Sequence, residues 1–72
     1  MKNTINIKLN NVALKNDLNE ILENNYEVSK GTVSGNSIEM VEGNSLSSYT
    51  YYGKEKERDE DLKTIEELLE NK

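Results

Sequence analysis

A small α+β domain with the element order β-α-β-β-β-α is the fold class that three features of the sequence predict. Apolar residues alternate at Ile5, Ile7 and Leu9, which is the period of a half-buried strand. The period then lengthens to that of a helix, with Leu14, Leu18, Ile21 and Leu22 on one stripe, and it does so again at Leu62, Ile65, Leu68 and Leu69. Between the two helical stretches, turn signals recur at Lys30-Gly31, Ser34-Gly35-Asn36, Glu42-Gly43-Asn44 and Gly53, separated by β-forming residues. The sequence therefore predicts one domain over 1–72, with an antiparallel-rich sheet that carries both helices on one face.

Taken in order, the first strand is expected over 3–9, at an edge of the sheet, and the first helix over 12–24. Asn10 or Asn11 can cap the start of that helix. Asn24-Asn25 suits its end, because asparagine enters the left-handed conformation more readily than most residues. Strands over 26–33, 37–42 and 46–52 follow as a meander, joined by Gly-Asn hairpins that supply the positive φ such turns require. In the last strand Leu46, Ser48, Thr50 and Tyr52 share one face, and Ser45, Ser47, Tyr49 and Tyr51 share the other; alternation alone does not say which is core. Eight consecutive charged residues, Lys54 to Asp61, lead into the second helix, expected over 57–70. Its first turns hold Asp59, Glu60 and Asp61, where exposed N–H groups and the helix dipole favour carboxylates. The expected core is Ile5, Ile7, Leu18, Ile21, Leu22, Val28, Ile38, Met40, Leu46, Leu62, Ile65 and Leu69.

Composition narrows the chemistry. Histidine and cysteine are both absent, which removes the side chains on which most metal sites, acid-base relays and activated nucleophiles depend. No catalytic residue, cofactor or metal site is expected. Paired carboxylates such as Glu66 and Glu70 fall at i, i+4 on a solvated helix face and are expected to have surface roles and not an acid's. The Asp59-Glu60-Asp61 cluster lacks the spaced oxygens and central glycine of a calcium loop. A chain of this length buries only about 60% of its unfolded surface. With no Phe, Trp, disulfide or structural zinc, its stability must come from regular packing or from self-association. Neither a signal peptide nor a transmembrane span can be drawn, so a cytoplasmic protein is expected. Eleven Asn and eight Lys, against one Arg and no Pro, match translation from an AT-rich genome: a low-GC bacterium, or a phage or plasmid living in one.

Two surfaces remain as candidates for function. Acids outnumber bases 14 to 9, for a formal net charge of -5. On a helical wheel Asp59, Glu60, Glu66, Glu67 and Glu70 fall opposite the leucines, interrupted by Lys63. Such a stripe ordinarily keeps a protein in solution. Its sharper reading is a row of carboxylates that imitates nucleic-acid phosphates and docks on a basic surface of a host protein. Tyr49 and Tyr51 mark the second surface, since tyrosine beside serine makes adaptable contacts. The plainer reading there is that the rings complete a core lacking Phe and Trp. If they do not, the open sheet face is expected to take a partner or a second copy of the chain.

The order helix, three-stranded meander, helix resembles a double-stranded RNA-binding domain with an added first strand. Such domains carry a basic cluster at the start of the second helix, where this chain has the mixed run Glu55 to Asp61, so direct nucleic-acid binding is not expected. Element order and acidity together are similar to those of small phage anti-CRISPR proteins that block a nuclease by mimicking DNA. That resemblance implies an inhibitor or modulator from a phage or mobile element, acting by contact. A homodimeric accessory domain associating through its sheet face is the alternative.

Overall fold

The computed structural model describes residues 7–31 and 35–71. Within them the elements run α1 (Val12–Glu23), β1 (Tyr26–Lys30), β2 (Ser37–Glu42), β3 (Ser45–Tyr51) and α2 (Glu55–Glu70). Of the strand expected over 3–9, residues 3–6 lie outside the described residues, and residues 7–9 are not in a strand. Leu9 is buried all the same, and Ile7 packs against the core. Immediately after Leu9 the backbone N–H groups of Asn10 and Asn11 are bound by the Asp61 carboxylate, which directs the chain into α1.

Helix α1 begins where Asn11 adopts extended backbone, φ -103° and ψ 117°. Its Oδ1 accepts from the N–H groups of Ala13 and Leu14 at 3.0 and 3.3 Å, a cap worth about 1 kcal/mol. Leu14, Leu18 and Ile21 form the buried stripe. The helix ends differently from expectation. Asn24 is extended, at φ -107° and ψ 170°, and not left-handed. It closes the helix by donating from both its backbone N–H and its Nδ2 to the Glu20 carbonyl, each at 3.0 Å.

The three strands form an antiparallel meander in the order β1-β2-β3, with Val28 opposite Met40 and Ile38 opposite Thr50. Ile38 and Met40 point to the face covered by both helices, where they meet Leu14, Leu18, Ile21, Leu62 and Ile65. Gly43, at φ +62°, takes the first place of the two-residue turn between β2 and β3, a position that needs a left-handed residue. After β3, Tyr52 closes the core.

One irregularity changes the composition of both sheet faces. Pairing shifts between Met40, which faces Ser48, and Val41, which faces Leu46, so Ser47 is an extra, bulged residue. The Ser47 hydroxyl accepts from the Glu42 N–H at 3.2 Å. A bulge resets the alternation, and Leu46 turns to the helix-free face, where it is 57% exposed. Leu46 is therefore not a core residue, contrary to the sequence expectation. Of the other expected members, Ile5 lies outside the described residues, and Ile7, Leu22, Val28 and Leu69 are partly buried around the core. Leu9, Leu14 and Tyr52 take full places in it.

Helix α2 starts at Glu55, earlier than the expected 57. Lys54 stands at the cap without a side-chain hydrogen bond, and Glu55 and Glu57 supply the first-turn acids that suit the helix dipole. A contact one turn along, from Arg58 back to Glu55, ties this extra turn down.

Candidate functional site

The acids of α2 do not form one stripe. In the first turns Arg58 is buried, with 3% of its surface exposed, and its guanidinium donates to the Gly35 carbonyl in the loop before β2. The same guanidinium binds Asp59 Oδ1 from Nη2 at 2.7 Å and from Nε at 3.0 Å, and Glu55 Oε1 at 3.3 Å. Lys30, at the end of β1, lies 3.8 Å from Asp59 Oδ1 on the other side. The hydrogen bond from Arg58, reinforced by the charges of Arg58 and Lys30, holds the Asp59 carboxyl below the ordinary carboxylate range. Asp59 thus has its partners within the molecule, Arg58 beside it in α2 and Lys30 of β1 in a solvent-exposed pair.

Asp61 departs furthest from its expected place. Although it sits in a run of charged residues, it is 2% exposed. Its Oδ1 accepts from the Asn10 N–H at 2.9 Å, and its Oδ2 accepts from the Asn11 N–H at 3.0 Å and the Tyr52 hydroxyl at 2.7 Å. Three donors on one carboxylate are what make its burial tolerable. Burial, then the bond to Asp61 and that carboxylate's charge, push the Tyr52 phenol far above its ordinary pKa. Asn10 also donates from Nδ2 to Glu60 Oε1 at 3.1 Å and to the Glu57 carbonyl at 3.2 Å, and Asn11 Nδ2 donates to the Tyr51 carbonyl at 3.1 Å. Glu60, like Asp59, has an internal partner.

The other end of α2 differs. Glu66, Glu67 and Glu70 are exposed, and among the described residues no hydrogen bond or ion pair engages their carboxylates. Glu66 and Glu70 border an open groove of about 570 Å³, with Leu69 beside them and Tyr26, Glu27 and Val28 of β1 across it. Asn24 and Asn25 close one end. Glu67 is not part of this lining. The groove arises because α2 runs back along β1, Asp59 lying by Lys30 and Leu69 by Tyr26. Tyr26 and Val28 were not singled out from the sequence as lining a site, since nothing local in it indicates which helix β1 lies beside.

Tyr49 and Tyr51 occupy the helix-free face, opposite Glu39 and Ser37 respectively, with ring centroids 6.3 Å apart and planes tilted by 31°. Tyr51 is 55% exposed and Tyr49 is half-buried. With Val41 and the displaced Leu46 they make a partly exposed apolar strip. Beneath Tyr49, Gly31 has no room for a side chain, because a Cβ there would run into the buried Ser37 hydroxyl and the Tyr49 ring.

Among the described residues, no group of three or more acidic side chains is placed to hold a metal ion. Among the same residues, no helix is long and apolar enough to cross a membrane. Compared with protein-family models, curated proteins and solved structures, the chain matches none.

Proposed function

We propose that this protein is a non-enzymatic inhibitor or modulator, of phage or mobile-element type, that docks on a basic surface of a cytoplasmic host protein. The observation that carries this reading is the division of α2: Glu55, Asp59, Glu60 and Asp61 are taken up internally, whereas Glu66, Glu67 and Glu70 stand exposed with no partner among the described residues. Unpaired carboxylates on a rigid helix steer a positively charged partner and set its orientation. The lack of His and Cys supports action by contact, and the excess of acid disfavours direct contact with nucleic acid. Affinity capture from a low-GC bacterial lysate, at low and moderate salt, tests the reading. A basic protein retained by the wild type, released by salt and missed by Glu66→Gln/Glu67→Gln/Glu70→Gln supports it; capture indifferent to both salt and variant refutes it.

A second reading rests on the strip of Val41, Leu46, Tyr49 and Tyr51, which fits a homodimer through the open sheet face. Sedimentation of the wild type and of Tyr49→Ser/Tyr51→Ser separates the two readings. A dimer that the double change converts to a folded monomer favours this one, and a wild-type monomer up to about 100 μM, a range that reveals all but weak dimers, removes it.

A further inference from the structure

We infer that the groove between β1 and the C-terminal half of α2 is a receptor for an arginine side chain of the partner protein. The inference rests on the proposed docking to a basic surface, and adds the place and the chemistry. The groove combines two kinds of lining. Tyr26, Val28 and Leu69 are partly buried apolar groups that pack against the core from below. Glu66 and Glu70 reach it one turn apart from the helix, whereas Glu27 borders it only through its place in β1, since it pairs with Val41 and its side chain belongs to the helix-free face. Among the described residues, no lysine or arginine lines it.

An inorganic cation would use the carboxylates and leave the apolar surface wet. An apolar side chain would cover that surface and leave the acids desolvated without a counter-charge, which is costly. A long side chain with an aliphatic stem and a cationic end answers both, its stem lying along Val28 and Leu69 while its head meets the acids. Arginine fits better than lysine, because its planar fork donates to two carboxylates at once, and Glu66 and Glu70 lie at the i, i+4 spacing that puts them on one helix face. The same two residues repel one another while the groove is empty, so a bound guanidinium also relieves a like-charge pair.

The test is an NMR titration of the 15N-labelled full chain with acetyl-Gly-Arg-Gly-amide, beside the lysine and norleucine peptides of the same length. Expected are saturable shifts confined to the amides of residues 26–28 and 66–70, weaker for lysine and absent for norleucine. Glu66→Gln/Glu70→Gln, with circular dichroism unchanged, should weaken the arginine peptide by about tenfold, the loss expected of a charge-assisted bidentate contact. Shifts centred on residues 55–61 or spread evenly over the acidic surface, or no shifts at all, would overturn the inference. Capture of a basic protein that depends on Glu66, Glu67 and Glu70, without groove shifts from the arginine peptide, sinks the groove and leaves the wider reading standing. Groove shifts with no basic protein captured do the reverse.

Discussion

Helix α2 carries five acids in its first half and three in its second, and, Glu57 apart, the two halves use them in opposite ways. In the first turns, Glu55 and Asp59 grip Arg58, Glu60 holds Asn10, and Asp61 is buried under three donors. Further along, Glu66, Glu67 and Glu70 face water. The difference lies in what the rest of the chain brings up to each half. The entry to α1 and Tyr52, just after β3, bring donors to the first turns, and the Gly35 carbonyl in the loop before β2 accepts from Arg58. The start of β1 brings the apolar groups of Tyr26 and Val28 to the last ones. A carboxylate that meets donors becomes structure, and one that meets none stays available for a partner.

If that division is right, mutations in the two halves should have effects of different size. Asp61→Ala leaves the Tyr52 hydroxyl and the N–H groups of Asn10 and Asn11 without their acceptor. Unsatisfied buried donors cost about 1–3 kcal/mol each, with partial relief where water enters, so we expect a loss of ~3 kcal/mol or more in urea unfolding. For a domain of marginal stability this brings unfolding within reach of room temperature. A loss below ~1 kcal/mol, within the range of an ordinary surface change, would mean that Asp61 is no anchor. Arg58→Leu comes next, at ~2 kcal/mol, because the Gly35 carbonyl and Asp59 lose their donor but Asp59 and Glu55 are exposed enough to be hydrated. Arg58→Lys should recover only part, since an ammonium cannot span these acceptors as the fork does.

Which acids fall into which class was not legible in the sequence, although most of the scaffold was. The spacing of Leu14, Leu18 and Ile21 located α1 because a helix repeats every 3.6 residues whatever it packs on. Gly43 located its hairpin because few other residues accept positive φ. Leu46 went to the wrong face because one bulged residue, Ser47, reverses the alternation, and neither Ser47 nor its neighbours announce it. Asp61 and Arg58 look like two more members of a solvated charge run. Their burial depends on Asn10, Asn11, Tyr52 and Gly35, which are distant in the chain or belong to other elements. Of the expected site, Glu66, Glu67 and Glu70 are exposed as the pattern suggested, Tyr51 is exposed on a face that alternation left open, Tyr49 is half-buried, and Asp59 and Glu60 are engaged internally.

The structural half also has a pH signature. Folding raises the pKa of Tyr52 above its unfolded value of about 10, so the native state favours the protonated phenol. The stabilisation is complete below pH about 10 and is lost as pH rises from there toward the folded value, at ~1.4 kcal/mol per pH unit. Tyr52→Phe should start less stable by about 1 kcal/mol at neutral pH, having removed one donor from Asp61, yet fall less steeply at high pH. Equal alkaline slopes for the two proteins would show that Tyr52 does not carry the transition.

The smallest effect is expected at the other end of α2. Changing Glu66, Glu67 and Glu70 to Gln removes three charges from exposed positions and keeps helix propensity nearly constant. Stability should stay within about 0.5 kcal/mol of wild type, and the sign should be positive, because the Glu66–Glu70 pair at i, i+4 repels by a few tenths of a kcal/mol. The gain should shrink as salt is raised to 1 M, where the screening length is about 3 Å. Partner binding should move the other way, with a slower association rate and a flatter dependence on salt. It is this opposition, with a region slightly better folded without its charges and worse at binding, that separates a site from a solubilising surface. A triple variant that loses 1 kcal/mol or more would reveal native-state partners for these carboxylates and abolish the contrast between the two halves of the helix.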